Sequence, residues 1–420
     1  MIPPLDAVPK RARSARPLRV CIVSGESRST TGGLSAYARI LVRELQSAGV
    51  QVTTVARFDR PEAGPMDYAA PSIGDGFPID GIPTALVGPS PRWRPILRRL
   101  RHMTDRRALR RLPPMIFARA FDESLDRAIP EDCDLVHYIG AGRELLGFAA
   151  LAVARSRGAA FTIWPAVHPQ TWGDSPLDVD LYEQSDAVFC QSDHEMNHLE
   201  SLGVSRSRLV RSWLAPVALP DGDGQAFRDA HALAGRPIVL FIGRRLRSKG
   251  FHALCEAMPK IVEQVPNVCL VAIGPEGDRP YPDVPTQAFL DLGVAAESAK
   301  ADALAACDVL CMPSSTESFG IVYVEAWSYG KAVVGGPAPA VRELITDGET
   351  GFCTEQDAGS IAPILCNILK DEPLRRRLGE AGRELQSRRY AWPAVTRLHL
   401  DTFHSVTGYR ATSLAPSCAY

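Results

Sequence analysis

Residues 317–336 read ESFGIVYVEAWSYGKAVVGG, and this stretch decides the fold of the second half of the chain. It follows an apolar run at 309–312 that predicts a buried strand, which Pro313 and two serines close. Small and apolar residues then predict a helix that ends at Gly330, and the apolar residues 332–334 predict another strand. A strand, a helix and a second strand in this order predict a βαβ unit of a parallel sheet.

Two carboxylates in this stretch, Glu317 and Glu325, are eight residues apart, with Phe319 and Gly320 between them. Glu317 falls in the loop after the strand, and Glu325 falls in the early turns of the next helix. The start of a helix presents unpaired N–H groups and a positive dipole end, which suit a diphosphate. The two carboxylates can accept hydrogen bonds from hydroxyls on either side of it. The pattern therefore predicts a site for a sugar nucleotide.

Length and composition predict a soluble globular protein of two domains. The chain has 420 residues, of which 45% are hydrophobic and 23% are charged. The net charge of −1 gives no general attraction to nucleic acid or membranes. No apolar run approaches the ~18 residues of a spanning helix. Residues 1–16 lack the apolar core of a signal peptide, so we expect a disordered basic tail.

The ten cysteines predict a reducing compartment. None of them belongs to a CxxC pair, and several, such as Cys21 and Cys311, lie inside apolar runs typical of strands. We therefore expect reduced thiols that act as small core residues, and a cytoplasmic location.

The order of the apolar runs divides the chain into two α/β domains. In each half, short apolar strands alternate with helical stretches, which is typical of parallel sheets. We expect an N-terminal Rossmann-like domain at 17–213, a linker at 214–228 and a C-terminal Rossmann-like domain at 229–390. A C-terminal helix and tail occupy 391–420. Residues 58–91 are rich in Pro and Gly and predict a loop.

A second motif, GRRLRSKG at 243–250, follows a predicted strand and opens a helix. Ligands bind at such strand ends in parallel sheets. Gly243 permits a tight turn, and Arg244 and Lys249 can converge on one anion through charge-assisted hydrogen bonds, each contributing about 1.5–3 kcal/mol. Taken alone, the motif is equally compatible with a solvated basic loop.

Together these motifs resemble the retaining glycosyltransferases of family 4, which have the GT-B fold. The similarity in the second half rests on three segments: Gly243-Arg244 with Lys249-Gly250, then Gly274-Pro275-Glu276-Gly277, then Pro313-Ser314 with Glu317 and Glu325. The first half matches more loosely, through Gly32-Gly33, residues 134–137 and His168. The resemblance implies two Rossmann-like domains facing a central cleft, with the C-terminal helix crossing back to the N-terminal domain.

The resemblance also implies a role for each matching residue of the second half. Arg244 and Lys249 would hold the donor diphosphate. Glu317 would bind the donor sugar, and Glu325 would bind the ribose hydroxyls. The remaining donor-binding residues would be Gly243, Gly274, Phe319, Gly320 and Ile321, the last three through backbone N–H groups at the start of the helix.

In the first half, Gly33 would let the backbone approach the phosphates, and His168 would sit beside the donor sugar, near the acceptor. A histidine after a strand is also common as a core residue, so both interpretations of His168 stay open. For His137 the core interpretation is the better one.

The resemblance implies a hexosyltransferase that uses a nucleoside-diphosphate sugar, most often a UDP-sugar, and needs no metal. Negative charge on the leaving diphosphate would be neutralised by Arg244, Lys249 and the helix dipole. The acceptor hydroxyl would belong to a small molecule, a glycan or a lipid-linked sugar. The three D-x-D triplets, at 132–134, 178–180 and 221–223, are expected by chance and do not predict a metal site.

Three other functions remain as alternatives. One is a different GT-B enzyme, such as a sugar-nucleotide epimerase, and another is a silent partner subunit. The third is a zinc metalloprotease, because His194, Glu195 and His198 form a literal HExxH. An NAD dehydrogenase is disfavoured because no GxGxxG follows the first strand.

The segment 92–111 contains nine Arg, with apolar residues at helical spacing. Peripheral members of the family use a basic patch of this kind, so the segment predicts either contact with an anionic membrane or a solvated helix. Both alternatives stay open.

Overall fold

The computed structural model describes residues 16–26, 33–58, 77–79, 82–100, 112–140, 145–217 and 221–409. These residues form two compact units. The first contains the chain up to Cys190, then Met196–Ser212 and the residues from Thr396 onward. The second contains Gln191–Glu195 and Trp213–Val395.

The first unit is built on an eight-stranded sheet in the order β3-β4-β2-β1-β5-β6-β7-β8. All pairings are parallel except that of β3 with β4. The strands are β1 (Arg19–Glu26), β2 (Gln51–Phe58), β3 (Phe77–Ile79), β4 (Ile82–Leu86), β5 (Leu135–Ile139), β6 (Ala160–Trp164), β7 (Ala187–Cys190) and β8 (Leu209–Arg211). The helices up to this point are α1 (Gly33–Ser47), α2 (Arg94–Leu100), α3 (Leu112–Ala128), α4 (Leu146–Ser156), α5 (Pro176–Gln184) and α6 (Asp193–Ser201).

Strands β5 and β7 are buried along their whole length, as expected for parallel strands with both faces covered. His137 on β5 is 0% exposed, and its Nδ1 lies 2.9 Å from the hydroxyl of Thr162. The core interpretation of His137 is therefore confirmed.

The prediction that 58–91 is a loop was wrong in part, because β3 and β4 lie within it. Pro78 and Pro83 face each other in this antiparallel pair and conceal the strand pattern in the sequence. Pro78 is tolerated because β3 is the edge strand of the sheet, where fewer backbone N–H groups must be paired.

The second unit has six parallel strands in the order β11-β10-β9-β12-β13-β14. They are β9 (Ile238–Ile242), β10 (Cys269–Ile273), β11 (Phe289–Gly293), β12 (Val309–Met312), β13 (Ala332–Gly335) and β14 (Phe352–Cys353). The chain first adds strands on one side of β9 and then returns to add β12 on its other side. Ligands bind at this reversal in open α/β sheets, beyond the carboxyl ends of the strands.

The helices of the second unit are α7 (Gly224–Ala230), α8 (Phe251–Gln264), α9 (Glu297–Ala306), α10 (Ile321–Ser328), α11 (Pro339–Leu344), α12 (Ala358–Lys370) and α13 (Glu372–Arg389). The connection from β10 to β11 contains only a short 3-10 turn at Thr286–Ala288. Prolines at 280, 282 and 285 explain this, since proline disrupts a helix interior. The predicted α/β class with two parallel sheets is confirmed.

The last helix, α14 (Trp392–Thr407), contributes its residues from Thr396 onward to the first unit. There the ring of His399 stacks on Phe189 of β7, with ring centroids 4.5 Å apart. Within the described ranges, no helix combines the length and apolar character needed to cross a bilayer.

Nine cysteines lie in the described part of the chain, and each is a free thiol. Eight are buried, and Cys353 is half-buried. Burial raises the pKa of the Cys255 and Cys307 thiols to about 12, so they are protonated and unreactive at neutral pH.

Candidate active site

The two motifs of the second half meet at the carboxyl ends of β9 and β12, which are neighbours in the sheet. The loop 243–250 leaves β9, and the segment 313–320 leaves β12. Both lie at the point where the strand order reverses, so the sheet topology alone designates this edge as a ligand site.

Lys249 and Glu317 are in direct contact although 68 residues separate them. Lys249 Nζ donates to Glu317 Oε1 at 2.6 Å and to the carbonyl of Thr316 at 3.2 Å. Their side chains are 17% and 9% exposed, so a small opening to solvent remains. The site therefore holds an ammonium and a carboxylate that are fixed by each other before any ligand binds.

Arg244, next to Gly243 at the end of β9, is exposed. Among the described residues no ion pair is recorded for its guanidinium. An exposed cation in the same loop as Lys249 can contact a diphosphate at the cost of little rearrangement.

The start of α10 is fixed to the end of β12. Gly320 precedes the helix with φ of +89°, a left-handed conformation that favours glycine, and a Cβ there would lie 2.6 Å from the Tyr323 ring. The hydroxyl of Tyr323 donates to the carbonyl of Met312, and burial raises its pKa well above the ordinary value. Phe319 packs against Tyr390 with ring centroids 5.8 Å apart. These contacts fix the start of α10, so its first N–H groups, from Ile321 onward, have a defined position.

Glu325 is buried, with its side chain 1% exposed. Its Oε1 accepts from Lys300 Nζ at 3.0 Å and from the backbone N–H of Val217 at 3.3 Å. Lys300 also pairs with Glu297 at 2.8 Å. Burial lowers the pKa of the Lys300 ammonium, but the carboxylates of Glu325 and Glu297 outweigh burial and raise it overall. Both donors bind the same oxygen, Oε1, so a ribose hydroxyl at this oxygen would compete with them.

Sequence reasoning missed Lys300, which lies on α9 outside every motif. The only available signal was its rarity, since the chain contains six Lys among 47 basic residues. That signal does not reveal its pairing with a carboxylate 25 residues away.

Gly243 and Gly274 are packed backbone against backbone at the ends of β9 and β10. A Cβ on Gly274 would lie 2.1 Å from the carbonyl oxygen of Gly243, and Gly274 has φ of +131°. The amide of Gly243 donates to Ile273 at 2.9 Å. Only glycine permits this approach, which holds the loop 243–250 against the neighbouring strand.

In the first unit, Gly33 is the first residue of α1, the helix that follows β1. Gly32 lies outside the described residues. His168 lies beyond the carboxyl end of β6, in a tight turn where its N–H donates to Trp172 at 2.9 Å. Ala166 and Gln170 in this turn have φ of 48° and 64°, so two non-glycine residues are strained around the histidine.

The residues of the HExxH pattern serve other purposes. The carboxylate of Glu195 is buried and accepts the N–H of Gln191 at 2.6 Å. His198 Nε2 lies 2.9 Å from Asp174. In the residues with assigned positions, no three His, Cys, Asp or Glu side chains form a group that could hold a metal.

One acidic residue of each D-x-D triplet is likewise engaged in a folding contact. Asp134 accepts two bonds from the Arg16 guanidinium, at 2.8 and 2.7 Å. Asp178 belongs to the capping box of α5, and Asp223 caps α7 by accepting the N–H of Ala226 at 2.9 Å.

Two family models match the chain. The model of glycosyl transferases group 1 matches residues 223–385, and that of the glycosyl transferase 4-like domain matches residues 32–212. These ranges cover the second unit with its site and most of the first unit.

Curated relatives carry the same assignment. The phosphatidyl-myo-inositol mannosyltransferase of Mycobacterium tuberculosis is 34% identical over 227 residues, which cover 49% of this chain and 60% of that protein. The lipopolysaccharide core biosynthesis glycosyltransferase LpsE of Rhizobium meliloti is 30% identical over 241 residues, covering 56% of this chain and 68% of LpsE.

Solved structures agree on the fold. The sucrose-phosphate synthase of Thermosynechococcus elongatus matches with a TM-score of 0.71 at 19% identity, covering 93% of this chain and 99% of that one. HepE of Anabaena, in complex with UDP and glucose, matches with a TM-score of 0.69 at 16% identity, covering 92% and 100%. The chain therefore belongs to the family 4 glycosyltransferases with the GT-B fold.

Proposed function

We propose that this protein transfers a hexose from a nucleoside-diphosphate sugar to an acceptor hydroxyl, with retention of the anomeric configuration. One observation carries the proposal: the Lys249–Glu317 pair lies at the strand-order reversal, beside the start of α10. Cation, carboxylate and helix dipole together match a ligand that has a diphosphate next to a hydroxylated sugar.

The charge distribution supports a mechanism centred on the leaving group. When the anomeric C–O bond breaks, negative charge develops on the nucleoside diphosphate. Lys249 and Arg244 would stabilise that charge, together with the N–H groups that begin α10. The acceptor would attack from the face that the leaving group departs from, and the departing phosphate would take the acceptor proton.

Glu317 would act as a ligand of the donor sugar and not as a nucleophile. Its carboxylate is bound at 2.6 Å by the Lys249 ammonium, which lowers its nucleophilicity. This differs from retaining glycosidases, in which a carboxylate attacks the anomeric carbon.

GDP-mannose is the donor that the relatives favour. A relative from Mycolicibacterium smegmatis, 31% identical over 191 residues, is named as a GDP-mannose-dependent mannosyltransferase. The resemblance to the family implies a UDP-sugar as the most frequent donor, and HepE, a neighbour at 16% identity, is in complex with UDP. Since that neighbour supports the fold alone, we place GDP-mannose first and UDP-glucose second.

Metal independence is part of the proposal. Arg244 and Lys249 supply the positive charge that a divalent cation would otherwise provide to the diphosphate. Turnover should therefore be unchanged by excess EDTA, and a loss of activity that Mg²⁺ or Mn²⁺ restores would refute this point.

The acceptor would be a lipid-linked or glycan hydroxyl, as the names of the curated relatives suggest.

Contact with an anionic membrane through 92–111 remains a proposal. Of this segment the structure describes residues 92–100, where Leu97 is 1% exposed and belongs to the core, whereas Ile96 is 43% exposed. Sedimentation with vesicles should increase with anionic lipid, and binding that ignores lipid charge would remove this idea.

The decisive experiment is a donor panel of GDP-mannose, UDP-glucose, UDP-galactose and ADP-glucose, offered with phosphatidylinositol and free sugars as acceptors. NMR of the product should show the anomeric configuration of the donor. Release of the free epimeric sugar nucleotide would support the epimerase alternative, and inverted product would refute retention.

A further inference from the structure

Arg245 and Arg244 are neighbours in the sequence but differ in their exposure to solvent. Arg244 is exposed, whereas Arg245 is 0% exposed. The Arg245 guanidinium makes two parallel bonds to the carboxylate of Asp291 on β11, one of them from Nη1 to Oδ2 at 2.7 Å. Asp291 Oδ1 also accepts the N–H of Gly293 at 2.8 Å. Bidentate geometry of this kind fixes direction as well as distance.

The backbone around Arg245 is fixed by the same neighbouring segment. Its N–H donates to the carbonyl of Pro275 at 3.2 Å, and its carbonyl accepts from the N–H of Asp278 at 3.1 Å. The Asp278 carboxylate then accepts the N–H of Arg247 at 2.8 Å. The loop 243–250 is thus attached to the connection between β10 and β11 at three points besides the Arg245 side chain.

The guanidinium also links the loop to the helix that follows it. Its carbon lies 5.8 Å from the ring centroid of Phe251, the first residue of α8. Arg245 therefore connects the end of β9, the start of α8 and the edge strand β11 across the loop that carries Arg244 and Lys249.

Stability alone is a poor reason for such a pair. The Arg245 side chain is 1% exposed and the Asp291 side chain is 41% exposed, so the pair carries the desolvation cost of a buried guanidinium, and apolar residues in place of a buried ion pair are often as stabilising or more so. Removing Asp291 alone is harmful mainly because the Arg245 guanidinium is then left buried without its partner. What apolar packing does not reproduce is the fixed direction of two parallel hydrogen bonds.

We propose that Arg245 and Asp291 form a positioning pair for the diphosphate site. The pair holds the loop 243–250 so that Arg244 projects outward and Lys249 reaches Glu317. This inference rests on the proposed function, because it assigns the pair a role in holding the cations that receive the diphosphate.

The test replaces the pair by apolar residues, in the double variant Arg245→Met/Asp291→Leu. A matched control is Arg228→Met/Asp308→Leu, which removes an ion pair of 3.1 Å at the opposite, amino-terminal edge of the same sheet. For both variants and the wild type, calorimetric titration with GDP and with UDP gives Kd, donor turnover gives kcat and KM, and thermal unfolding gives Tm.

We expect the Arg245/Asp291 double variant to keep a Tm near that of the wild type, while kcat falls 10- to 100-fold and the Kd of the bound nucleotide rises about tenfold. The control variant should lose Tm and keep kcat. The single variant Arg245→Lys, which keeps the charge but not the bidentate geometry, should recover only part of kcat.

Wild-type kcat and Kd in the double variant would overturn the inference alone, since the pair would then be purely structural. A loss of kcat in the control variant as large as that in the Arg245/Asp291 double variant would overturn it too, because the effect would then not be specific to this pair. A wild-type protein that binds neither GDP nor UDP would overturn the proposed function, and the inference with it.

Discussion

The carboxyl edges of the two sheets are built in different ways. In the second unit, two loops of eight residues, 243–250 and 313–320, carry Arg244, Lys249 and Glu317, and one ion pair, Lys249–Glu317, joins the two loops. In the first unit, the candidate residues are a glycine at the start of α1 and a histidine in a strained turn.

The difference concerns which part of the reaction each edge would serve. Binding of a diphosphate requires cations and N–H groups, which short motifs at the ends of strands supply. Recognition of an acceptor depends on the shape of the binding surface, which loops supply. The following predictions test this division, from the largest expected effect to the smallest.

Lys249→Met should reduce kcat about 10³-fold, because it removes the cation closest to Glu317 and leaves that carboxylate nearly buried without its partner. Steady-state kinetics would measure this. The control is Lys331→Met, which removes another partly buried lysine that binds the Ala305 carbonyl at 2.7 Å, before the amino end of β13. Equal losses of kcat in Lys249→Met and Lys331→Met would show that the carboxyl edge of this sheet has no special role.

His168→Ala should reduce kcat about 100-fold and leave the Kd of the nucleoside diphosphate unchanged, because the residue belongs to the first unit. Kinetics and calorimetry on the same preparation would show the split. His404→Gln is the control, since His404 lies on α14 of the first unit, where its ring stacks on Tyr409. A weaker nucleotide affinity in His168→Ala would place the residue in the donor half.

Gly274→Ala should lower the free energy of unfolding by about 2 kcal/mol, because the new methyl group collides with the Gly243 backbone. Gly235→Ala is the control: Gly235 also has positive φ, at +69°, but an added Cβ meets nothing within 4 Å. Denaturant unfolding of both variants separates the collision from backbone strain. Equal losses would show that the close approach of the two strands is unimportant.

The first unit should lose stability in mild acid through His137. Burial, together with the neighbouring His399, holds the pKa of His137 well below its ordinary value, so the folded protein keeps it neutral. The unfolded chain binds a proton below pH about 6.5. The contribution of His137 to the free energy of unfolding is therefore fully present above that pH. Below it, this contribution falls by about 1.4 kcal/mol per pH unit for one proton.

Urea unfolding between pH 7.5 and pH 5.5 would measure that slope. In His137→Asn, the slope of the unfolding free energy against pH should correspond to one proton fewer. The contribution of His404, whose pKa is also lowered by burial, should remain. An unchanged slope in the variant would show that His137 is not the titrating group.

Much of the fold could be predicted because its signals are local. The apolar pattern of the sequence directly predicts where β5, β7, α8 and β12 begin and end. Lys249 and Glu317 could also be singled out from two short motifs after predicted strands, but the ion pair between them could not. The hairpin β3–β4 was missed because its prolines obscure the alternation of a strand.

Long-range partners could not be predicted, because one sequence does not show which charges meet. Arg245 reads as part of an exposed basic loop, yet it is buried against Asp291, 46 positions away. Lys300 is unremarkable on α9 until the fold brings Glu325 to it.

The central claim is that the Lys249–Glu317 edge receives a nucleoside diphosphate. Calorimetric titration of GDP and UDP into the wild type and Lys249→Met tests it most directly. The account predicts saturable binding of at least one nucleotide by the wild type, and affinity at least tenfold weaker in the variant. Equal affinity in both proteins, or no heat from either nucleotide with the wild type, would contradict it.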